Sequence, residues 1–216
     1  STPTRIQLVS TTGGVLGGQL IELVYYDSES ASNINALARE IGEDDSILGV
    51  IGPGKSAELK AVARSFKNKE KVMISPVSTA SKFFRVYQGE GFLWRTTEAD
   101  VAQVESMLLA AVEAEATKVA LLTDFSEYGD TFFDFFGFFA AEFGFEPEAV
   151  SVSRYEQDDA DESGCEASVA ELLAGEPDIL FAVATNRMQL RCMLQVMDVH
   201  RSTGGTTRLM LSDSGY

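Results

Sequence analysis

Apolar positions along the chain fall into two alternating rhythms. Short runs rich in β-branched residues occur at 20–26, 47–51, 71–75, 118–123, 149–155, 178–184 and 208–212. Between them the apolar residues take helical spacing. Ile34, Leu37, Ala38 and Ile41 fall at i, i+3, i+4 and i+7, and Leu59, Val62, Ala63 and Phe66 repeat the pattern. Val101, Val104, Leu108, Leu109 and Val112 make a third stripe. Gly144 and Gly175 stand near the ends of such segments, where a residue that tolerates positive φ stops a helix cheaply. Apolar strands alternating with helices predict an α/β fold, because right-handed crossovers place helices on both faces of a parallel sheet.

One stretch breaks the alternation. Residues 78–98 contain YQGEG at 87–91 and then FLWRT at 92–96, a loop and a connecting strand between two lobes. The expected architecture is therefore two open, parallel-sheet, Rossmann-like lobes, the first over 1–96 and the second over 97–216. A chain of 216 residues is long enough for one full α/β domain or two small lobes.

Composition narrows the partners. Seventeen Lys and Arg against 33 Asp and Glu leave a net charge of −16, which argues against nucleic acid and against an anionic membrane surface. The longest apolar candidate, TFFDFFGFFAAEFGF at 131–145, is too short to span a bilayer and carries Asp134 and Glu142. It reads as a buried or interface helix. Its phenylalanines cannot all face one core, which leaves some for the partner lobe or for a homodimer contact. Cys165 and Cys192 lie on successive helical segments without CxxC spacing. They are either two buried thiols or a disulfide stapling neighbouring helices, the latter implying an oxidising compartment. No set of metal ligands is apparent, and no metal or cofactor is implied. His200, at a polar helix end without a partner in motif spacing, reads as a surface histidine. The acidic run DDADE at 158–162 lacks the glycine of a calcium loop and reads as a solvated loop. Asp124, at the end of an apolar strand, either faces a cleft or forms a turn.

The segment GVIGPGKS at 49–56 matches the phosphate-binding P-loop pattern. Val50 and Ile51 continue the strand through the first glycine, Pro53 removes an N–H from a loop that exists to offer them, and the motif does not open the fold. Nucleotide hydrolysis is therefore the weaker reading. What remains is a tight strand-to-helix turn with Ser56 near a helix N-terminus. There a hydroxyl, free amides and the helix dipole favour an anionic group, and the alternative is an ordinary serine cap.

Six segments in order carry a resemblance: GGVLGGQ at 13–19, VIGP at 50–53, VMISPVST at 72–79, WRT at 94–96, DFSEYG at 124–129 and LSDSG at 211–215. Together they resemble the type I periplasmic binding proteins, in the leucine/isoleucine/valine-binding branch that serves ABC transporters. The resemblance implies two α/β lobes closing on a small ligand, without enzymatic activity. It implies a carboxylate grip at Ser56, Val77 and Thr79, with Ser78 as an added hydroxyl, and an aromatic clamp at Tyr128. Further contacts would come from Thr185, Asp213 and Ser214, where the family's acidic partner of a ligand ammonium group falls near Ser214. The implied ligand is an amino acid or a related carboxylate, and the implied partners are the membrane subunits of an ABC transporter. A receptor ectodomain is the alternative on the same fold. The implied location is periplasmic or extracellular, with a lipid anchor through a removed N-terminal segment as one arrangement. Family members open with a full helix and cross back after the LSDSG strand, so the resemblance implies a truncated chain.

Overall fold

The runs of β-branched residues become strands, and the striped segments become helices. The computed structural model describes residues 4–8, 18–28, 33–87, 89–156 and 163–213. In chain order the elements are β1 (Thr4–Leu8), β2 (Ile21–Tyr25), α1 (Ile34–Glu43), β3 (Gly49–Ile51), α2 (Ser56–Asn68), β4 (Val72–Ser75), α3 (Ser81–Val86) and β5 (Leu93–Arg95). Then follow α4 (Asp100–Glu113), β6 (Val119–Asp124), α5 (Glu127–Glu142), β7 (Val150–Tyr155), α6 (Ser163–Ala174), β8 (Ile179–Ala182), α7 (Arg187–Ser202) and β9 (Arg208–Leu211).

Two parallel sheets result. The larger has the order β7-β6-β8-β9, and its register pairs Val119 with Val150 on one side and with Ile179 on the other. Every residue of β6 and β8 is buried, and alternate side chains serve opposite faces. Val119, Leu121, Ile179 and Phe181 pack with Leu108 of α4 and with Phe132 and Phe136 of α5. Ala120, Leu122, Leu180 and Ala182 pack with Val169 of α6 and with Met193 and Met197 of α7. A strand sandwiched in this way loses the polar/apolar alternation and reads as a continuous apolar run. Cys165 and Cys192 form a disulfide that joins α6 to α7.

The smaller parallel sheet has the order β3-β4-β5. Met73 faces α1 and α2, packing with Ala38, Leu59, Val62 and Phe66. Behind them Lys71 is buried, and its Nζ donates to the carbonyls of Asp44 (2.7 Å) and Ile47 (2.6 Å), fixing the chain between α1 and β3. The opposite face is bare: Ile51 is 74% exposed and Trp94 57%.

Three features depart from the sequence reading. β1 and β2 form their own antiparallel pair, with Thr4 opposite Tyr25, instead of joining a parallel sheet. The irregular stretch after Ser78 contains the short helix α3 before β5. His200 is half-buried instead of lying on the surface. The chain turns back after α7 so that the Gly205 amide donates to the His200 carbonyl (2.9 Å), and a Cβ on Gly205 would run into the imidazole. The acidic run at 158–162, most of the GGVLGGQ segment and Ser214 lie outside the described residues.

Candidate functional site

α2 follows the C-terminal end of β3 and α5 that of β6, and the two helices touch; the space between their starts is the candidate cleft. Lys60 of α2 forms an ion pair with Glu127 of α5, and the Ser81 amide of α3 donates to Thr131 Oγ1 of α5 (3.2 Å). Loops at carboxyl strand ends are where open α/β sheets hold ligands.

On the smaller-sheet side, the GVIGPGKS segment does not form a phosphate cradle. Gly49 is the first residue of β3, and the turn is confined to residues 52–55. Gly52 holds a φ of +114°, a conformation reserved in practice for glycine, and its amide donates to the Ile74 carbonyl (2.9 Å). Pro53 offers no N–H at all. Ser56 is the first helical residue; the N-cap is Lys55, which makes no side-chain cap bond. The first-turn amides of α2 therefore keep their affinity for an anion. Ser56 itself is buried, and its Oγ accepts from the Ala80 amide (3.4 Å), tying the two strand ends together.

After β4 the residues of the VST segment have different fates. Val77 is 59% exposed. Ser78 is buried, with its hydroxyl donating to the Pro53 carbonyl (3.4 Å) and its amide donating to Ser75 Oγ (3.0 Å). Thr79 is half-buried and acts as a junction. Its carbonyl accepts from Arg95 Nη1 (2.9 Å) and from the Asp100 amide (3.2 Å), while its side chain hydrogen-bonds the Asp100 carboxyl.

Asp100 is the residue that sequence reasoning missed. It opens α4, is 1% exposed, and its Oδ2 has no hydrogen-bond partner among the described residues. Burial raises its pKa to about 7, with the nearby Asp213 charge adding to that effect; the Thr79 hydrogen bond and Arg95 pull the other way. No sequence signal distinguishes it from any acid in a first helical turn. Gln103, one turn further on, donates to Tyr128 Oη (3.2 Å) and Asp213 Oδ1 (3.3 Å) and accepts from the Asp213 amide (2.9 Å).

On the larger-sheet side, Tyr128 is buried near the start of α5, with its ring edge-on to Phe132 and its hydroxyl donating to Asp213 Oδ1 (2.8 Å). The ring is thus packed into the core, and the hydroxyl organises the acidic edge of the cleft. Asp124 acts both as a turn former and as a bridge. It is fully buried, its Oδ1 accepts from the amide (3.0 Å) and hydroxyl (2.5 Å) of Ser126, and its Oδ2 accepts from Thr185 Oγ1 (3.0 Å). The Thr185 amide donates to Gln189 Oε1 (2.6 Å). Arg154 closes this edge, with its guanidinium between the rings of Phe125 and Phe133 and bonded to the Asp124 carbonyl and the Asp130 carboxylate. The cleft therefore has an anion-friendly edge at α2 and an acidic edge at Asp100 and Asp213, and the Thr79–Ala80 step joins them, Thr79 bonding Asp100 and Ala80 bonding Ser56.

The family model for periplasmic binding proteins matches residues 4–212. No curated protein sequence matches the chain. Among solved structures it is similar to a leucine-binding protein of Thermotoga maritima, at 23% identity and a TM-score of 0.74, over 92% of this chain and 54% of that one. It is also similar to an ABC-transporter substrate-binding protein of Desulfitobacterium hafniense in complex with Leu (20%, TM-score 0.69, 94% and 58%). A third is a solute-binding protein of R. palustris in complex with 4-hydroxybenzoate (16%, TM-score 0.75, 88% and 50%). The chain spans about half the length of these proteins. At such identities the likeness is one of fold. Among the described residues, no helix is long and apolar enough to cross a membrane.

Proposed function

Because the chain belongs to the periplasmic binding protein family, whose members are solute-binding proteins and not enzymes, we propose that it captures a small carboxylate for uptake by an ABC transporter. The ligand is an amino acid or a related acid, held between a lobe at 1–96 and a lobe at 97–216. One observation carries this reading: the uncapped start of α2 and the carboxyls of Asp100 and Asp213 are linked through consecutive residues, Thr79 bonding Asp100 and the Ala80 amide bonding Ser56 Oγ. That arrangement suits a ligand carrying an anionic group and, at the other end, a cation or hydrogen-bond donor. Ser56, Val77, Ser78 and Thr79 line the anion side in this reading, and Tyr128, Thr185, Asp213 and Ser214 line the other. Lobe closure over the ligand then presents a surface to the membrane subunits. The disulfide between Cys165 and Cys192 fits an exported location, since such bonds persist in oxidising compartments.

A thermal-shift screen against amino acids, small aliphatic acids and aromatic acids tests the proposal. A ligand at a hundred times its Kd adds about 2.7 kcal/mol, which for a chain of this size is a rise of about 5–10 °C in Tm. At least one acid is expected to reach that range, and Thr79→Ala to cut its affinity about tenfold, the loss of one charge-assisted hydrogen bond. Stabilisation by Mg·ATP but by none of the acids would overturn the reading.

A further inference from the structure

Beside the cleft, a second cavity of about 620 Å³ opens between α3, β5 and α5. None of Ser56, Val77, Ser78, Thr79, Tyr128 or Thr185 lines it. Its apolar wall is aromatic, with Phe84, Trp94 and Phe135, and its polar groups are Ser81, Arg85 and Arg95. The volume is in the range of pockets that hold small organic ligands, about 300–1,000 Å³.

Three observations give that cavity an electrostatic preference. Arg95 stacks on the Phe84 ring (4.4 Å to the centroid) and spends one N–H on the Thr79 carbonyl, yet makes no ion pair among the described residues. Burial holds its pKa below the ordinary arginine value, against the pull of Asp100 and Glu98. Asp100 is a weak counter-charge, because its own carboxyl is half protonated near neutrality. Arg85 is exposed and likewise without an ion pair among the described residues. With Lys82 it also lines an adjoining cavity of about 480 Å³, whose one acid is Asp134. Finally, Ser81 Oγ is buried with no hydrogen-bond partner among the described residues. Three cations, Lys82, Arg85 and Arg95, thus gather in one place on a chain of net charge −16, one of them, Arg95, stacked on an aromatic ring.

We propose that this cavity is a second ligand site, selective for a monocarboxylate with an aromatic or branched apolar body. The apolar body would lie against Phe84, Trp94 and Phe135, and the carboxylate would bridge Arg85 and Arg95. Arginine suits that role, since its planar fork pairs carboxylates with two parallel hydrogen bonds.

Trp94 is the chain's single tryptophan, so its fluorescence reports on this cavity. The experiment titrates 3-phenylpropanoate and its neutral amide, 3-phenylpropanamide, into the wild type, Arg85→Gln and Thr79→Ala. The expected result is a saturable change with the acid and none with the amide. Arg85→Gln should weaken binding about tenfold through the loss of a charge-assisted contact, while Thr79→Ala leaves it intact. Arg85 is exposed, so its substitution leaves the fold undisturbed, and the acid-against-amide comparison needs no variant. The absence of a saturable response to the acid, or an equal response to the amide, overturns the proposal. So does a response lost in Thr79→Ala but kept in Arg85→Gln, which would place the acid in the cleft.

Discussion

Replacing Asp100 by Asn should make the protein more stable at neutral pH and progressively less so in acid. The carboxyl is 1% exposed, faces Asp213, and has one oxygen without a partner among the described residues. Its pKa lies at about 7 in the fold against 3.8 when unfolded, so between those values the folded chain holds a proton that the unfolded chain has released. Stability therefore falls as pH rises through this window, by about 1.4 kcal/mol per pH unit, and about 4 kcal/mol is lost by the time both states are ionised. Below the unfolded value the penalty is gone. Asn mimics the protonated acid and keeps a group able to bond Thr79, so the variant lacks this slope. Thermal melts of wild type and Asp100→Asn from pH 4.5 to 8 isolate the residue from the other acids of the chain. About 3 kcal/mol of this develops between pH 4.5 and 8, so the gap in Tm should widen in favour of the variant by about 6–12 °C across the range, at about 2–4 °C per kcal/mol. Parallel profiles would show that Asp100 ionises as freely in the fold as in water, and the account of the acidic edge would fail with it.

Two further outcomes concern the scaffold. Reducing the Cys165–Cys192 bond, or replacing both residues by Ala, opens a loop with a sequence separation of 27. Loop-closure entropy then predicts a loss of about 3.5 kcal/mol, read as a lower denaturant midpoint with a steeper slope, because the unlinked unfolded chain exposes more surface; a midpoint that ignores reductant would refute it. Gly129→Ala should cost about 1–3 kcal/mol by overpacking, because a Cβ there meets the Asp124 carboxylate and carbonyl and the Thr123 hydroxyl. An undiminished Tm in that variant would mean that the start of α5 can move away from β6.

The centre of the larger sheet was legible because β6 and β8 are buried on both faces. A run such as VALLTD at 119–124 stays apolar whichever way its side chains point, so no register had to be known to see it. The striped helices were visible for the complementary reason, that one face of each is wet. Failures concentrate where short segments answer to distant partners. α3 is six residues long, too short for its spacing to declare a period, and is held by Thr131 of α5. Arg154 looks like any residue of a half-exposed strand until Phe125 and Phe133 close on its guanidinium. Nothing local to Tyr128 shows that its hydroxyl finds Asp213, 85 residues further on, or that its ring finds Phe132. The anion-friendly turn at Ser56 could be anticipated because helix N-termini are a local property. The acidic edge could not, because Asp100, Gln103, Tyr128 and Asp213 become one group only through tertiary packing.

The two parallel sheets differ in how firmly they hold their halves of the cleft. β6 and β8 have helices on both faces, so the loops bearing Asp124 and Thr185 rest on strands that open only with the whole unit. Among the described residues β3, β4 and β5 have helices on one face alone, and Ile51, Val72, Ile74 and Trp94 remain open on the other. At 37–74% exposed, each such side chain forgoes a fraction of the roughly 1.5–3 kcal/mol that full burial contributes. The strand ends carrying Ser56 and Thr79 thus stand on the less stable wall, and a ligand bridging the two walls would add stability chiefly to that one. Hydrogen exchange at Met73 and Ile74 should accordingly be the first to slow on ligand binding, ahead of Leu121 and Phe181, whose protection is already set by a sheet covered on both sides.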